Sequence, residues 1–536
     1  MGVAIYDTTL RDGTQREGIS LSLADKLRVT ELLDGLGVAY IEGGWPGSNP
    51  KDAAYFDAVR ELPLRHTRVA AFGSTCRKEA DPETDANIRA LVDAQTPVVT
   101  VVGKTSMLHV LEILQTTPDE NLRMIRESLA YLKSLGKEVI YDAEHFFDGL
   151  KLDLEYGMDT IRAAVEGGAD CVTLCDTNGG TMPWEVDRFF RMVREAFPDT
   201  PLGIHTHNDS ELAVANSLAA VQAGAVQVQG TINGYGERCG NANLCSIIPD
   251  LELKMGIACL PEGSLRHLAH VSRTVAEIAN LAPDNHLAYV GKSAFAHKGG
   301  IHVAAIRRNV DSYQHISPEL VGNEMRVLVS DLSGQGNVLS KAEEFGLDVS
   351  RDEAIKVLDE IKRLENQGYV FEGAEASVAI RLHRARLDYL PLFRLIDFTV
   401  IVEDRQGRGA VSEAMVKIDV DGQVMHTAAE GHGPVNALDL ALRKALIEHH
   451  PDIGLFQLVD YKVRILDGKN GTAATTRVLI DMTDGERRWS CVGASDNIIR
   501  ASWLALVDCL EYGLRVVRVQ AADGIRDAAT EEGVPG

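Results

Sequence analysis

The stretch Leu202-Gly-Ile-His-Thr-His-Asn208 has the composition of a buried strand that ends in polar residues. His205 and His207 are two residues apart, so on a strand both imidazoles lie on the same face. Two nitrogen ligands on one face at a strand end could hold a divalent metal ion. On its own the His-x-His pair is a weak signal, because pairs of surface histidines are common. The hypothesis therefore depends on which residues end the neighbouring strands.

Similar short runs, rich in apolar and β-branched residues, recur through the first 256 residues and alternate with segments of helical periodicity. The predicted strands are Val3–Asp7, Ala39–Gly44, Arg68–Ser74, Pro97–Gly103, Lys137–Ala143, Cys171–Asp176, Leu202–His207 and Gln227–Asn233. Two helical segments open on a capping residue and close on glycine, Ser22 to Gly37 and Asp153 to Gly167. Eight β-α units in about 250 residues predict a (β/α)8 barrel. A doubly wound open sheet is the alternative, but eight near-even units favour closure.

Polar residues gather at the C-terminal ends of these runs, which is the face where a barrel carries its active site. In a closed barrel the last strand pairs with the first, so Asp12 comes to the same rim as His205, His207 and the loop that contains Asn241. Asp12 could complete a metal site with the two histidines, and the amide oxygen of Asn241 could add a fourth ligand. Mixed oxygen and imidazole ligands suit Mg²⁺, Mn²⁺ or Zn²⁺. Asp12 alone is a typical solvated loop carboxylate, but the four residues together favour a metal site.

Further charged and polar residues at the same strand ends have the chemistry of an active site. Arg11 can brace a carboxylate or a developing oxyanion, and Glu42 on the adjacent strand could orient its guanidinium. A structural ion pair at the barrel mouth is the alternative for these two, and both interpretations are compatible. Glu144 and Thr177 also end strands, where a general base or a carboxylate-binding hydroxyl would be placed. Lys104 has a similar position, but the sequence identifies no partner for it.

The composition of the 536-residue chain limits the classes of partner. Its length predicts about three domains. A formal net charge of -24 argues against nucleic acid and anionic membranes as partners. Eight scattered cysteines without C-x-x-C pairs fit a reducing compartment. We find no signal peptide and no apolar run long enough to span a bilayer, so a cytoplasmic location is expected.

The organisation changes after the predicted barrel, which we place at residues 1–258. Residues 259–390 mix helical pieces with glycine-rich turns and are predicted to be linker subdomains that contribute to the active site. Residues 391–520 contain an approximate β-β-α repeat, Val416–Leu446 and Arg477–Leu510, and predict a small α+β domain. The polar tail at 521–536 is predicted to be disordered.

Three motifs carry a family resemblance: Asp7-Thr-Thr-Leu-Arg-Asp-Gly-Thr-Gln15, His205-Thr-His-Asn-Asp209 and Asn233-Gly-Tyr-Gly-Glu-Arg-Cys-Gly-Asn-Ala242. They resemble the signatures of the 2-isopropylmalate, homocitrate and citramalate synthase family, in the family's order. The later Ala294-Phe-Ala-His-Lys-Gly-Gly-Ile-His302 and the repeat domain extend the similarity over nearly the whole chain. Glu42-Gly-Gly-Trp-Pro-Gly-Ser-Asn-Pro-Lys-Asp52 is most similar to the citramalate-forming type, whereas isopropylmalate-forming members tend to have a Gly-Phe-Pro version.

The resemblance implies an activity and a role for each site residue. The family condenses acetyl-CoA with a 2-oxo acid held on a divalent metal and then hydrolyses the thioester. By resemblance Arg11 would stabilise the ketone oxygen, Thr177 would bind the substrate carboxylate, and Glu144 would belong to the acid/base machinery. The implied metal ligands are Asp12, His205, His207 and Asn241.

The resemblance also implies that a linker histidine from a partner subunit completes the active site of a homodimer. His302 is the candidate, acting with Glu144, and the alternative for it is an ordinary loop histidine. The chain departs from the family pattern after this residue, where it reads Val303-Ala-Ala, and His297 lies close by in the sequence. Tyr313 is a weaker candidate.

The implied acceptor is pyruvate, and the C-terminal repeat resembles a regulatory domain whose effector would be isoleucine. That domain could instead serve only to dimerise the chain. Condensation with 2-oxoisovalerate is the close alternative. The two acceptors differ by a methyl versus an isopropyl group, and a pocket discriminates by only about 1–3 kcal/mol per methylene. A lyase or aldolase on the same metal barrel is disfavoured because such enzymes usually lack the linker and the repeat domain. A non-catalytic metal or amino-acid sensor is disfavoured because all the expected ligands and Arg11 are present.

Overall fold

The computed structural model describes residues 2–407 and 409–517, which form two compact units. The first unit contains the described residues up to Phe295 together with Ile316–Met325. The second unit contains Ala296–His315 and the described residues from Arg326 onward. Residues 259–295, the first part of the predicted linker subdomains at 259–390, thus lie in the same unit as the barrel. The predicted tail at 521–536 lies outside the described residues.

The first unit is built around a closed barrel of eight parallel strands. These are β1 (Ala4–Asp7), β2 (Tyr40–Gly44), β3 (Arg68–Ser74), β4 (Val98–Lys104), β5 (Glu138–Glu144), β6 (Cys171–Asp176), β7 (Leu202–Thr206) and β8 (Gln227–Gly230). Strand β8 closes the barrel against β1, with Ala4 opposite Gln227 and Asp7 opposite Gly230. The predicted (β/α)8 barrel is therefore confirmed, and its C-terminal strand ends meet at one rim.

Ten helices accompany these strands in the described part of the first unit. They are α1 (Leu23–Leu36), α2 (Pro50–Val59), α3 (Ala86–Asp93), α4 (Pro118–Ser134), α5 (Phe146–Leu152), α6 (Leu154–Glu166), α7 (Pro183–Ala196), α8 (Ala213–Gln222), α9 (Leu244–Pro249) and α10 (Leu268–Ile278). Helix α1 shows how the sequence sets the boundaries of a helix. Ser22 caps its N-terminus in a capping box with Asp25, and Gly37 ends it at φ 92°. Helix α10 buries Leu268 and Val271 in the same core as the barrel strands, which explains why the first unit continues beyond residue 258.

The second unit begins with a short parallel sheet and four helices. Their bounds are β9 (Ala296–His297), α11 (Gly300–Ile306), β10 (Arg326–Val327), α12 (Gln335–Glu344), α13 (Arg351–Asn366) and α14 (Glu375–Ala385). Two antiparallel three-stranded sheets follow, each with one helix after its last strand: β11 (Arg394–Arg405), β12 (Gly409–Val420), β13 (Gln423–Gly431), α15 (Pro434–Leu446), β14 (Gln457–Ile465), β15 (Thr476–Thr483), β16 (Arg488–Ser495) and α16 (Ile498–Tyr512).

The repeat of the second unit is therefore three strands and a helix, one strand more than the predicted β-β-α. The strands that the sequence did not predict are β11 and β14, the first of each sheet. Most of their residues are exposed, so the alternation of apolar and polar residues that marks a half-buried strand is weak in them. Among the described residues of the chain, no helix combines the length and the apolar character needed to cross a membrane.

Candidate active site

Three side chains converge at the rim where β7 and β1 end. Asp12 follows β1, His205 lies on β7, and His207 comes directly after it; all three are buried. His205 Nε2 lies 3.3 Å from Asp12 Oδ2 and 3.3 Å from His207 Nε2. One carboxylate oxygen and two imidazole nitrogens thus lie within 4.8 Å of one another. This set of donors at these separations fits a divalent cation.

The amide of Asn241 supplies a further observation in favour of a cation. Its backbone forms a bridge with His207, and its Nδ2 donates to the carbonyl oxygen of Tyr235 at 3.1 Å. Its Oδ1 is buried and has no hydrogen-bond partner among the described residues. A buried acceptor left without a partner costs about 1–3 kcal/mol, so a ligand to this oxygen would remove a penalty. A Cβ on Gly236 would overlap the Asn241 amide, which accounts for the glycine there.

The electrostatics of the cluster set the charge of each donor. Burial opposes protonation of His205, but the hydrogen bond with Asp12 and the charge of Asp12 outweigh it and raise the pKa of His205. Burial opposes the ionisation of Asp12, but the positive charge of Arg11 and the hydrogen bond with His205 outweigh it and hold the pKa of Asp12 well below its ordinary value. Burial and the neighbouring His205 lower the pKa of His207 to about 4. At neutral pH Asp12 is therefore a carboxylate, and the ring of His207 is neutral with a free lone pair.

Arg11 is held rigidly beside this cluster. Its Nε donates to Glu42 Oε1 at 2.5 Å, and its Nη2 lies 3.7 Å from Asp12 Oδ2. The guanidinium lies over the ring of Phe72, with Cζ 3.9 Å from the ring centroid. Glu42 is fully buried, and its other oxygen accepts a hydrogen bond from the hydroxyl of Tyr6 at 3.0 Å. The arrangement fixes a positive charge at the rim beside the cluster of donors.

Glu144 and Thr177 lie on the other side of the same rim. Glu144 forms an ion pair with Lys104, because both residues end adjacent parallel strands and are directly opposite in register. The backbone N–H of His145 donates to Thr177 Oγ1 at 2.8 Å, so the Thr177 hydroxyl hydrogen is available to a ligand. Burial lowers the pKa of His145 to about 4, so its ring, stacked on His109 at 3.8 Å, is neutral. Lys104 is therefore the cation that accompanies Glu144.

One open cavity of about 680 Å³ brings most of the predicted site residues together. The predicted residues that line it are Arg11, Asp12, Glu144, Thr177, His205 and His207. Trp45, from the stretch most similar to the citramalate-forming type, lines it as well. Glu42 and Asn241 do not line the cavity. Glu42 contacts Arg11, and Asn241 lies beside His207.

The candidate histidines of the linker belong to the second unit. His302 lies on α11, is exposed, and stacks its ring on Tyr313 with centroids 4.2 Å apart. His297 lies on β9, and its Nε2 is buried without a hydrogen-bond partner among the described residues. The catalytic role of His302 stays a prediction, as do those of the other two.

Comparison with known proteins covers almost the whole chain. Three family descriptions match in succession: HMGL-like over residues 2–275, homocitrate synthase post-HMGL domain-like over 289–369, and LeuA allosteric (dimerisation) domain over 373–514.

An (R)-citramalate synthase of Geobacter sulfurreducens is 54% identical over 515 residues, which cover 96% of this chain and 97% of that protein. An (R)-citramalate synthase of Synechocystis sp. is 52% identical over 96% of both chains. A probable 2-isopropylmalate synthase of Methanopyrus kandleri is 32% identical over 94% of this chain and 97% of its own. The chain therefore belongs to the HMGL-like family and, within it, to the group that contains the (R)-citramalate synthases.

Proposed function

We propose that this chain condenses acetyl-CoA with pyruvate, giving (R)-citramalate and free CoA. The observation that carries the proposal is the convergence of Asp12, His205 and His207 beside Arg11 in one cavity. The choice of pyruvate is supported by the relatives named (R)-citramalate synthase, at 42–54% identity, against 32% for those named 2-isopropylmalate synthase.

A divalent cation would be held by the four donors at the rim, namely Asp12, His205, His207 and Asn241. When bound, Mn²⁺, Mg²⁺ or Zn²⁺ supplies Lewis-acid polarisation of the ketone and a template for the 2-oxo acid. Two neighbouring side chains, those of Thr177 and Arg11, act on the substrate itself. The Thr177 hydroxyl donates to the carboxylate of pyruvate, and the Arg11 guanidinium faces the ketone oxygen.

The reaction requires a proton to leave the methyl group of acetyl-CoA. We assign this step to Glu144 acting with His302, the latter delivered from the linker of a partner subunit. As the new bond forms between the acetyl methyl carbon and the ketone carbon, the ketone oxygen gains a full negative charge, which Arg11 stabilises before the oxygen is protonated. Water then attacks the thioester carbonyl, and CoA leaves as the thiol. The hydrogen bond from Arg11 Nε to the buried Glu42 orients the guanidinium for this role.

A single assay tests the substrate assignment. The full-length protein, acetyl-CoA and Mn²⁺ or Mg²⁺ are offered pyruvate, 2-oxobutanoate, 2-oxoisovalerate and glyoxylate in parallel while free thiol is followed. We expect thiol release chiefly with pyruvate. Release chiefly with 2-oxoisovalerate would move the assignment to 2-isopropylmalate formation, and no release with any acceptor would remove the synthase class. Cleavage of citramalyl-CoA without any condensation would favour a lyase.

Regulation and assembly are further parts of the proposal. The match to a LeuA allosteric (dimerisation) domain over residues 373–514 supports a homodimer that binds an effector through its C-terminal repeat. Isoleucine is the effector we propose, because citramalate leads toward 2-oxobutanoate and then to that amino acid. Inhibition of the full chain by isoleucine, with valine and leucine as matched amino acids, tests this. Equal inhibition by all three, or by none, would count against isoleucine as the effector.

A further inference from the structure

A hydrogen-bonded chain of buried polar side chains runs across the inside of the barrel from His205 to β5. His205 Nδ1 lies 2.9 Å from Gln229 Oε1. Gln229 Nε2 in turn donates to Asp142 Oδ1 at 2.8 Å and lies 3.2 Å from Thr173 Oγ1. All four side chains are buried, and they come from strands β7, β8, β5 and β6. Gln229 is the link that joins a candidate metal ligand to the interior of the barrel.

The amide of Gln229 has one orientation that satisfies its neighbours. Its NH₂ group faces two acceptors, the carboxyl oxygen of Asp142 and the hydroxyl oxygen of Thr173. The Thr173 hydroxyl hydrogen is directed to Gln227 Oε1, 3.4 Å away, which leaves a lone pair of Thr173 for the Gln229 amide. Turning the amide over would take both of its N–H bonds away from Asp142 and Thr173 and leave a buried N–H without a partner. The carbonyl oxygen therefore faces His205.

The orientation of Gln229 decides which nitrogen of His205 carries the hydrogen. A carbonyl oxygen can only accept, so Nδ1 of His205 carries a hydrogen, and Nε2 is the nitrogen that can release its hydrogen and bind a cation. Nε2 is the atom that lies 3.3 Å from both Asp12 Oδ2 and His207 Nε2. Nε2, and not Nδ1, thus faces the cluster of donors.

We infer that Gln229 is a positioning residue that holds His205 in the tautomer able to bind a cation through Nε2, and that Asp142 and Thr173 fix Gln229. The inference rests on the metal site of the proposed function and extends it to a residue that does not touch the metal. A residue that hydrogen-bonds to a metal ligand in this way usually raises the metal affinity by a factor of about 10 to 100.

Gln227 provides a matched control on the same strand. It lies two residues before Gln229 and therefore faces the same way, and its side chain is also buried. Its strand partner in β7 is Gly203, whereas the partner of Gln229 is His205. Replacing Gln227 thus removes a buried amide one layer away from the ligand. Its link to Gln229 is indirect, through the Thr173 hydroxyl, which donates to Gln227 Oε1 at 3.4 Å.

The experiment measures Mn²⁺ binding by calorimetry in the full-length protein and its variants, with thermal unfolding as a check of folding. We expect Gln229→Met to bind Mn²⁺ about 10- to 100-fold more weakly, and Gln227→Met, which acts on Gln229 only through Thr173, to lose clearly less affinity than Gln229→Met. Gln229→Glu keeps an acceptor opposite Nδ1 and is expected to bind Mn²⁺ more tightly than Gln229→Met. Normal affinity in folded Gln229→Met, or an equal loss in Gln227→Met, would overturn the inference.

A second measurement needs no variant at position 229. In ¹⁵N-histidine-labelled protein loaded with diamagnetic Zn²⁺, the ring of His205, assigned by comparison with His205→Asn, should carry its hydrogen on Nδ1. A hydrogen on Nε2 would overturn the inference even if Gln229→Met failed to fold. Absence of metal binding by the unsubstituted protein would refute the metal site itself, whereas metal binding that is insensitive to position 229 would refute only the role of Gln229.

Discussion

The Nε atom of Arg11 donates a hydrogen bond of 2.5 Å to Oε1 of Glu42; Arg11 lies in the segment after β1, and Glu42 lies on the adjacent strand β2. The carboxylate is fully buried, so it has no competing contact with solvent and the guanidinium has little freedom to move. An electrostatic group is effective in catalysis when it is already oriented before charge develops. The pair therefore links the packing of the barrel mouth to the chemistry that we propose for Arg11.

Loosening this pair should lower the turnover number more than it changes substrate affinity. In Glu42→Gln the charge is lost but the shape is kept, and we expect kcat to fall about 10-fold or more with a smaller change in the KM for pyruvate, because Arg11 acts mainly on the charge of the transition state. Arg11→Lys, which cannot reproduce the fork of donors, should lower kcat about 10²- to 10³-fold. Steady-state kinetics with pyruvate as the varied substrate make the measurement.

Tyr6→Phe is the control for this prediction. It removes the hydroxyl that donates to the other oxygen of Glu42 while leaving the bond to Arg11 in place. We expect a lower Tm and a kcat within about threefold of the unsubstituted enzyme, as for a buried hydroxyl with a structural role. A loss of kcat in Tyr6→Phe as large as that in Glu42→Gln would mean that the whole interior network, and not the Arg11 contact, sets the rate.

Removing the unpartnered oxygen of Asn241 should weaken metal binding without unfolding the loop. Asn241→Ala deletes one of four donors and is expected to lower Mn²⁺ affinity by about 10-fold or more. Asn243→Ala is the control: Oδ1 of Asn243 accepts from the N–H of Cys245 at the start of α9, so its loss should cost about 1 kcal/mol of stability and leave Mn²⁺ affinity unchanged. Calorimetric titration of both variants measures this, and equal affinities would exclude Asn241 as a ligand.

The barrel could be predicted from the sequence because its strands are buried on both faces and read as continuous apolar runs. The bounds of β3 and β6 match the predicted runs, Arg68–Ser74 and Cys171–Asp176. Strand β8 is shorter than predicted: it ends at Gly230, and Asn233 turns the chain with a φ of 62°. A left-handed asparagine gives no signal in a pattern of apolar residues.

The sequence predicts only those residues of the candidate site that lie at the end of a predicted strand. Asp12, His205 and His207 share that position, and closure of the barrel brings them together. The contact between Lys104 and Glu144 depends on the register of β4 against β5, which the sequence does not give. Gln229 was missed because its partner Asp142 lies 87 residues away and neither belongs to a recognised motif.

Breaking a buried cluster of charges should strongly destabilise the C-terminal repeat. Asp508 on α16 accepts from the hydroxyl of Ser377 at 3.0 Å and pairs with Arg381 and Arg384 of α14 at 3.1 and 2.9 Å. Asp508→Ala would leave the buried Arg381 without this partner, and we expect it to lower the free energy of unfolding by about 3–5 kcal/mol. Asp388→Ala removes an exposed partner of Arg386 and should have little effect. Urea unfolding followed by tryptophan fluorescence compares the two, in a Trp45→Phe, Trp184→Phe background where Trp489 and Trp503 of this repeat give the signal. Equal midpoints would contradict the prediction.

Asp7 should make the stability of the barrel depend on pH. Burial raises the pKa of Asp7 to about 7 from its ordinary value of 3.8, although Thr9 donates two hydrogen bonds to the carboxyl group. Between pH 3.8 and pH 7, the carboxyl group of Asp7 is protonated in the folded protein and ionised in the unfolded chain. The contribution of Asp7 to the free energy of unfolding therefore falls as the pH rises toward 7, by at most about 1.4 kcal/mol per pH unit, and is constant above that value.

Asp7→Asn removes this titration, so the variant should gain stability relative to the unsubstituted protein between pH 5 and pH 7 and gain no more by pH 8. Thermal unfolding of both proteins at pH 5, 6, 7 and 8 gives the difference in Tm directly. Asp34→Asn is the control: burial opposes ionisation of Asp34, but the backbone N–H groups of residues 65–67 outweigh it and lower its pKa, so its titration lies below pH 3.8. The Tm difference for Asp34→Asn should accordingly be the same at all four pH values. A Tm difference for Asp7→Asn that is equally flat would show that the Asp7 carboxyl group is ionised in the folded barrel throughout this range.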